Sequence, residues 1–268
     1  MKKEIKSDKF LEDSNIRVSK KTSFDGQSIQ AGAVIKFVSK RSLFNGKEMG
    51  IPPPEFEALM FDHALNMAKE SHLIKKRVSV VKSDFDNKSE IKIDNINRQL
   101  FFEFCQKSIA ARSFCIAGIE SWTNKSLVIM SRRNNINRLI WKNKKGVFKN
   151  VNIENISNDK SLHLSVKVFQ LIPQVFMSKS LNDNSGLKNF IKGLIEDRNS
   201  ILHMGVELTY KEEKQTRADF AHRLFQTSDI RAVKSTLGYL DFIYKNSKEA
   251  KPEWLVELLA EIDKSKDS

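Results

Sequence analysis

Proline and glycine are scarce in this 268-residue chain, at 5 and 10 residues. An all-β sandwich or barrel needs a turn about every ten residues, built largely from those two types, so helix is the expected class. Cysteine is limited to Cys105 and Cys115, both inside an apolar run. That placement reads as a reduced interior and not as a disulfide framework. No Cys-x-x-Cys or spaced Cys/His set suggests zinc, and no metal or other cofactor is expected. No stretch approaches the roughly 18 uninterrupted apolar residues of a membrane span. The basic start MKKEIKSDKF is followed by no apolar core, so it does not read as a signal peptide. A soluble, cytoplasmic protein with no membrane partner is the expectation.

Cations are plentiful. Lys+Arg total 46 against 33 Asp+Glu, giving a net charge of +13 and a pI near 9.6. Such an excess favours a polyanionic partner. Hydrophobic residues make up 40% of the chain, enough to bury a core.

Three regions are expected. Residues 1–90 read as an N-terminal extension of mixed structure: a loose leader to about 28, a short strand within Ala31–Val38, and a helix from Glu55. The segment Ile74–Asn87 reads equally as strand or linker. Residues 91–248 read as a helical bundle, and 249–268 as a closing helix and tail. Within the bundle, Ile91 to about Met130 is apolar around nearly the whole helical circumference, as a central helix should be. Residues 131–158 turn Asn-rich and basic, with two short apolar runs around Gly146. They read as a small β-hairpin-like insertion. Helical spacing then resumes at Leu162–Phe176, Leu187–Met204, Ala218–Phe225, Ile230–Tyr244 and Trp254–Ile262.

The Leu187–Met204 helix carries the chemistry. Its apolar stripe runs through Leu187, Phe190, Ile191, Leu194, Ile195, Ile201 and Leu202, and Gly205 follows as a helix stop. Extending the stripe from Leu194 by helical spacing lands on Arg198, which places a guanidinium where the helix turns toward its core or an interface. A desolvated guanidinium needs a partner or a purpose. Asn199 and His203 are four apart and share a face beside it. Arg can neutralise a phosphate, His can move a proton near neutral pH, and Asn can orient either one.

The string Arg198-Asn199-Ser200-Ile201-Leu202-His203 resembles the R-N-x-x-x-H motif of HEPN domains. A long apolar helix with small residues and an acid near its end, here Ala110–Trp122 with Glu120, precedes the motif helix as in that family. The resemblance spans roughly residues 91–248. It implies a mainly α, HEPN-like bundle and a metal-independent endoribonuclease, with RNA cleaved by its own 2′-hydroxyl to leave a 2′,3′-cyclic phosphate. It further implies a homodimer with a composite active site, and a prokaryotic toxin or antiviral defence role with an antitoxin or defence-system partner. Arg198, Asn199 and His203 would be catalytic and Glu120 supporting.

The insertion supplies candidate RNA-binding residues: Arg132, Arg133, Arg138, Trp141, Lys142, Lys144 and Lys145. Cations around an aromatic suit single-stranded RNA; a solvated basic loop has the same composition. Two other readings of the whole protein stand beside the enzyme. One is a non-catalytic nucleic-acid or nucleotide-binding regulator on the same fold, with Arg198 pairing Glu120 as a structural clamp. The other is a helical scaffold whose charge recruits a partner.

Overall fold

The structure, a computed structural model, describes residues 15–17, 22–24, 27–29, 34–36, 39–44, 47–51, 55–82, 89–91, 94–156, 162–177, 185–203 and 210–264. Side chains are described at 55–79, 94–156, 162–177, 186–200, 217 and 219–264. The chain divides into two compact units, residues 1–59 and 60–268.

The first unit holds short strands: β1 (Asn15–Arg17), β2 (Thr22–Phe24), β3 (Gln27–Ile29), β4 (Val34–Lys36), β5 (Ser39–Phe44) and β6 (Lys47–Ile51). They form antiparallel pairs β1–β4, β2–β3 and β5–β6. The expected strand within Ala31–Val38 falls at β4, but the expected loose leader already contains β1, β2 and most of β3. Strands of three residues are too short to show an alternating pattern.

The second unit is mainly helical. It comprises α1 (Phe56–Arg77, which begins in the first unit), a ladder of β7 (Val80–Lys82) with β8 (Ser89–Ile91), α2 (Asn95–Arg133), and a hairpin of β9 (Arg138–Lys142) with β10 (Phe148–Asn152). Then come α3 (Leu164–Val166), a π-turn at Lys167–Leu171, α4 (Ile172–Phe176), α5 (Ser185–His203), α6 (Tyr210–Gln226), α7 (Asp229–Lys245) and α8 (Glu253–Lys264). The unit boundary lies well before the expected one at 90. The cause is α1, which joins the bundle: Phe61, Ala64, Leu65 and Ala68 are fully buried. Phe61 stacks on Trp254 of α8 at 5.8 Å, and Lys69 bonds Glu261 at 2.8 Å. Thus the first and last helices both belong to the bundle, and α8 is no appendage.

α2 is the central helix. It starts at Asp94, whose carboxylate accepts the Asn97 N–H at 2.7 Å, and runs 39 residues, about 58 Å at 1.5 Å per residue. Phe104, Ala111, Cys115, Ile116, Ile119, Trp122 and Leu127 are buried along it, and α4, α5, α6 and α7 pack against it. Gly118 admits the Phe61 ring: a Cβ there would meet Phe61 Cζ at 2.9 Å. Trp122 contacts Phe176, Tyr239 and Tyr244, and its indole N–H donates to Tyr244 Oη at 3.1 Å. Buried Tyr239 donates to the Val168 carbonyl in the π-turn at 2.9 Å, satisfying both groups.

The hairpin expected around Gly146 is present. The Gly146 N–H donates to Asn143 O at 2.9 Å, Gly146 has φ 82°, and Asn143 Oδ1 accepts the Lys145 and Val147 N–H groups. This is a type I turn with glycine in the left-handed bulge position. The free edge of β9 is closed by side chains. Gln170 Oε1 accepts the Lys142 N–H at 2.8 Å and its amide donates to Lys142 O at 3.0 Å. Gln174 does the same to Ile140, at 3.3 and 2.6 Å. Four helical residues rise about 6 Å and two strand residues about 6.6 Å, so glutamines four apart match strand residues two apart. Changing both Gln170 and Gln174 to Ala should therefore loosen the hairpin, at about 1 kcal/mol per lost hydrogen bond at most. Hydrogen exchange checks this: the Ile140 and Lys142 amides should lose protection while α2 keeps its own.

Candidate functional site

α5 is set by its apolar stripe: Ile191 and Leu194 are buried, and Leu187, Phe190 and Ile195 half-buried. Beyond Leu194 the stripe reaches Asp197 and Arg198, both half-buried. The two stand about 100° apart around the helix, and it is Asp197 that meets a buried partner. Asp197 Oδ2 meets Arg112 Nη1 at 2.5 Å. Arg112, 5% exposed, also bonds Asp229 Oδ1 through Nε at 3.0 Å and donates to Thr227 Oγ1. Ser71 Oγ donates to the other Asp229 oxygen at 2.8 Å. One guanidinium thus cross-links α2, α5 and the start of α7, and reaches α1 through a single carboxylate. The sequence reading missed Arg112, although a cation within the apolar stretch 108–122 of α2 was the available signal.

Arg198 lies at the rim instead, with 38% of its side chain exposed. Its Nη2 stands 3.8 Å from Glu120 Oε2, and its Nη1 donates to Asn199 Oδ1 at 3.3 Å. Glu120, on the same central helix as Arg112, is 42% exposed. An ion pair this open contributes little to stability, about 0–1 kcal/mol. It orients the guanidinium while leaving it accessible to an anion. His203 closes α5, four positions after Asn199; its side chain and Gly205 lie outside the described residues.

On the side of α5 that carries Gly193, Asp197 and Ser200, a cavity of about 900 Å³ is walled by Arg112, Arg223 and Arg231. No family model, curated protein or solved structure matches this chain.

The insertion residues divide. Arg132, Arg133 and Arg138 are exposed, and Arg133 pairs with Glu249 at 2.8 Å. Trp141 is buried, 7% exposed, and its remaining surface lines a cavity beside the hairpin lysines. Its cross-strand partner is Lys149, whose ammonium sits 5.7 Å from the indole centroid, on the face that also buries Leu139 and Val151. Lys142, Lys144 and Lys145 do come together, around a separate cavity of about 890 Å³.

Other nucleophiles are silent. Burial pushes the Cys115 thiol to about 12 and the Cys105 thiol to about 11, so neither forms a thiolate near neutral pH. Among the described residues, no group of three or more His, Cys, Asp or Glu could hold a metal ion, and no helix is long and apolar enough to cross a membrane.

Proposed function

We propose that this protein is a HEPN-type endoribonuclease that cleaves RNA by 2′-hydroxyl attack. The observation that carries the reading is the run Glu120–Arg198–Asn199, in which an accessible guanidinium is held between a carboxylate and an amide in the C-terminal half of the motif helix. The net charge of +13 supports a polyanionic substrate.

In this reading the 2′-oxygen forms a bond to phosphorus, the bond to the 5′-oxygen breaks, and the products are a 2′,3′-cyclic phosphate and a 5′-hydroxyl end. Arg198 stabilises the charge that builds on the phosphoryl oxygens. Glu120 and Asn199 hold its plane. His203 supplies the proton that the leaving 5′-oxygen takes up, and the motif of a second copy supplies the base, so the active form is a homodimer. A toxin or antiviral defence effector, restrained by an antitoxin or a defence partner, is the biological setting.

The test is cleavage of a single-stranded RNA by the purified protein in excess chelator, with end analysis of the fragments and light scattering at the same concentration. Undiminished cleavage, cyclic-phosphate ends and a dimer are the expected results. Activity that vanishes with chelator and returns with magnesium or manganese would overturn the mechanism. RNA binding without cleavage would favour the non-catalytic regulator.

A further inference from the structure

The second cavity gathers like charges. Lys142, Lys144, Lys145 and Lys149 of the hairpin line its volume of about 890 Å³, and among the described lining residues there is no carboxylate. Lysines lining one concave space give it a positive potential that favours an anion. The backbone that carries Lys144 and Lys145 is fixed by the Asn143 turn, and the hairpin is fixed by Gln170 and Gln174. Half-buried Phe169 adds an apolar wall. A lone phosphate would leave such a space mostly unfilled. Its volume falls within the roughly 300–1,000 Å³ of small-molecule sites, and the cations of Lys144, Lys145 and Lys149 suit several phosphates at once.

We propose that this cavity binds the phosphate chain of a nucleotide, with the base against Phe169. The chain is that of a free nucleoside triphosphate or the consecutive phosphates of an RNA strand. Binding there needs neither Arg198 nor His203, so the proposal stands or falls apart from the ribonuclease reading.

The experiment is isothermal titration of the whole protein with inorganic tripolyphosphate, ATP and a ten-nucleotide single-stranded RNA. The site variant is Lys144→Gln/Lys145→Gln/Lys149→Gln. A control, Lys76→Gln/Lys248→Gln/Lys264→Gln, removes equal charge from exposed lysines elsewhere. If free nucleotide is the ligand, ATP and tripolyphosphate should bind at one site per chain. The site variant should then lose affinity by about 30-fold or more, and the control should change by less than about threefold. Phe169→Ala should weaken ATP and spare tripolyphosphate. If an RNA strand is the ligand, only the RNA should bind, with the same contrast between variants and a salt slope lowered by about 2 in the site variant. Equal losses in site variant and control, or binding that the site variant leaves unchanged, would overturn the proposal. Thermal melts of each variant must match the wild type, which the exposed turn position of Lys144 and Lys145 permits.

Discussion

Arg112→Ala is expected to lower stability by about 3–5 kcal/mol, the largest loss from any single substitution at or near the motif helix. The size follows from what is left behind. Asp197 and Asp229 would keep their positions against α2, but without the guanidinium that satisfies one oxygen of each. Asp229 is 4% exposed and cannot turn to water. A stranded buried carboxylate costs far more than the lost hydrogen bonds themselves. Against a typical total of about 5–15 kcal/mol, the change is a third or more of the whole. Urea unfolding should show the midpoint shift. In a double-mutant cycle, Asp197→Asn should cost markedly less in the Arg112→Ala background than in the wild type. A cost under about 1 kcal/mol for Arg112→Ala would show that the network is not clamping α5.

What was legible in the sequence was local. The apolar circumference of α2 announced a central helix, and four neighbouring helices surround it. The hairpin followed from two short apolar runs about a single Gly146, the residue that takes the left-handed turn position. The limits of α5 and α7 came within two residues of their periodicity. What was not legible depended on long-range pairing or on a single step of rotation. Arg112 meets partners 85 and 117 positions away, which no spacing rule can reach. Arg198 and Asp197 are neighbours, and about 100° decides which of them reaches the buried Arg112. Trp141 is an aromatic among cations in sequence, yet strand register turns it inward and pairs it with Lys149. The π-turn at Lys167–Leu171 interrupts a run whose apolar spacing reads as one plain helix. The placement of α1 in the bundle rests on Phe61 finding the space above Gly118, a contact between residues 57 positions apart.

His203→Ala is expected to reduce RNA cleavage by about 10²–10⁴-fold or more, the range spanned by a positioned general acid or base. No other histidine can substitute. His63 lies against the Phe114 ring, His72 stands on α1, His222 bonds Gln226 within α6, and His163 lines the lysine cavity, so none of these four stands on the motif helix. Arg198→Ala should be similarly inactive, and the open setting of Arg198 makes its structural cost small. Its ion pair with Glu120 is 3.8 Å long and more than a third exposed on both sides, so the melt should shift by no more than about 1 kcal/mol implies. That combination separates catalysis from packing: Arg112→Ala should unfold easily, whereas Arg198→Ala should fold and not cut. Arg198→Lys should recover little activity, because an ammonium cannot grip two phosphate oxygens with one planar fork. Glu120→Gln keeps the size of the side chain and removes the charge that orients the guanidinium, so it should leave partial activity. A clamp that only holds the bundle together would give the opposite ordering, with activity per folded molecule unchanged in every one of these variants. Thermal melts run beside an RNA cleavage assay therefore decide the matter, and a folded, fully active His203→Ala protein would end the mechanism proposed for the motif helix.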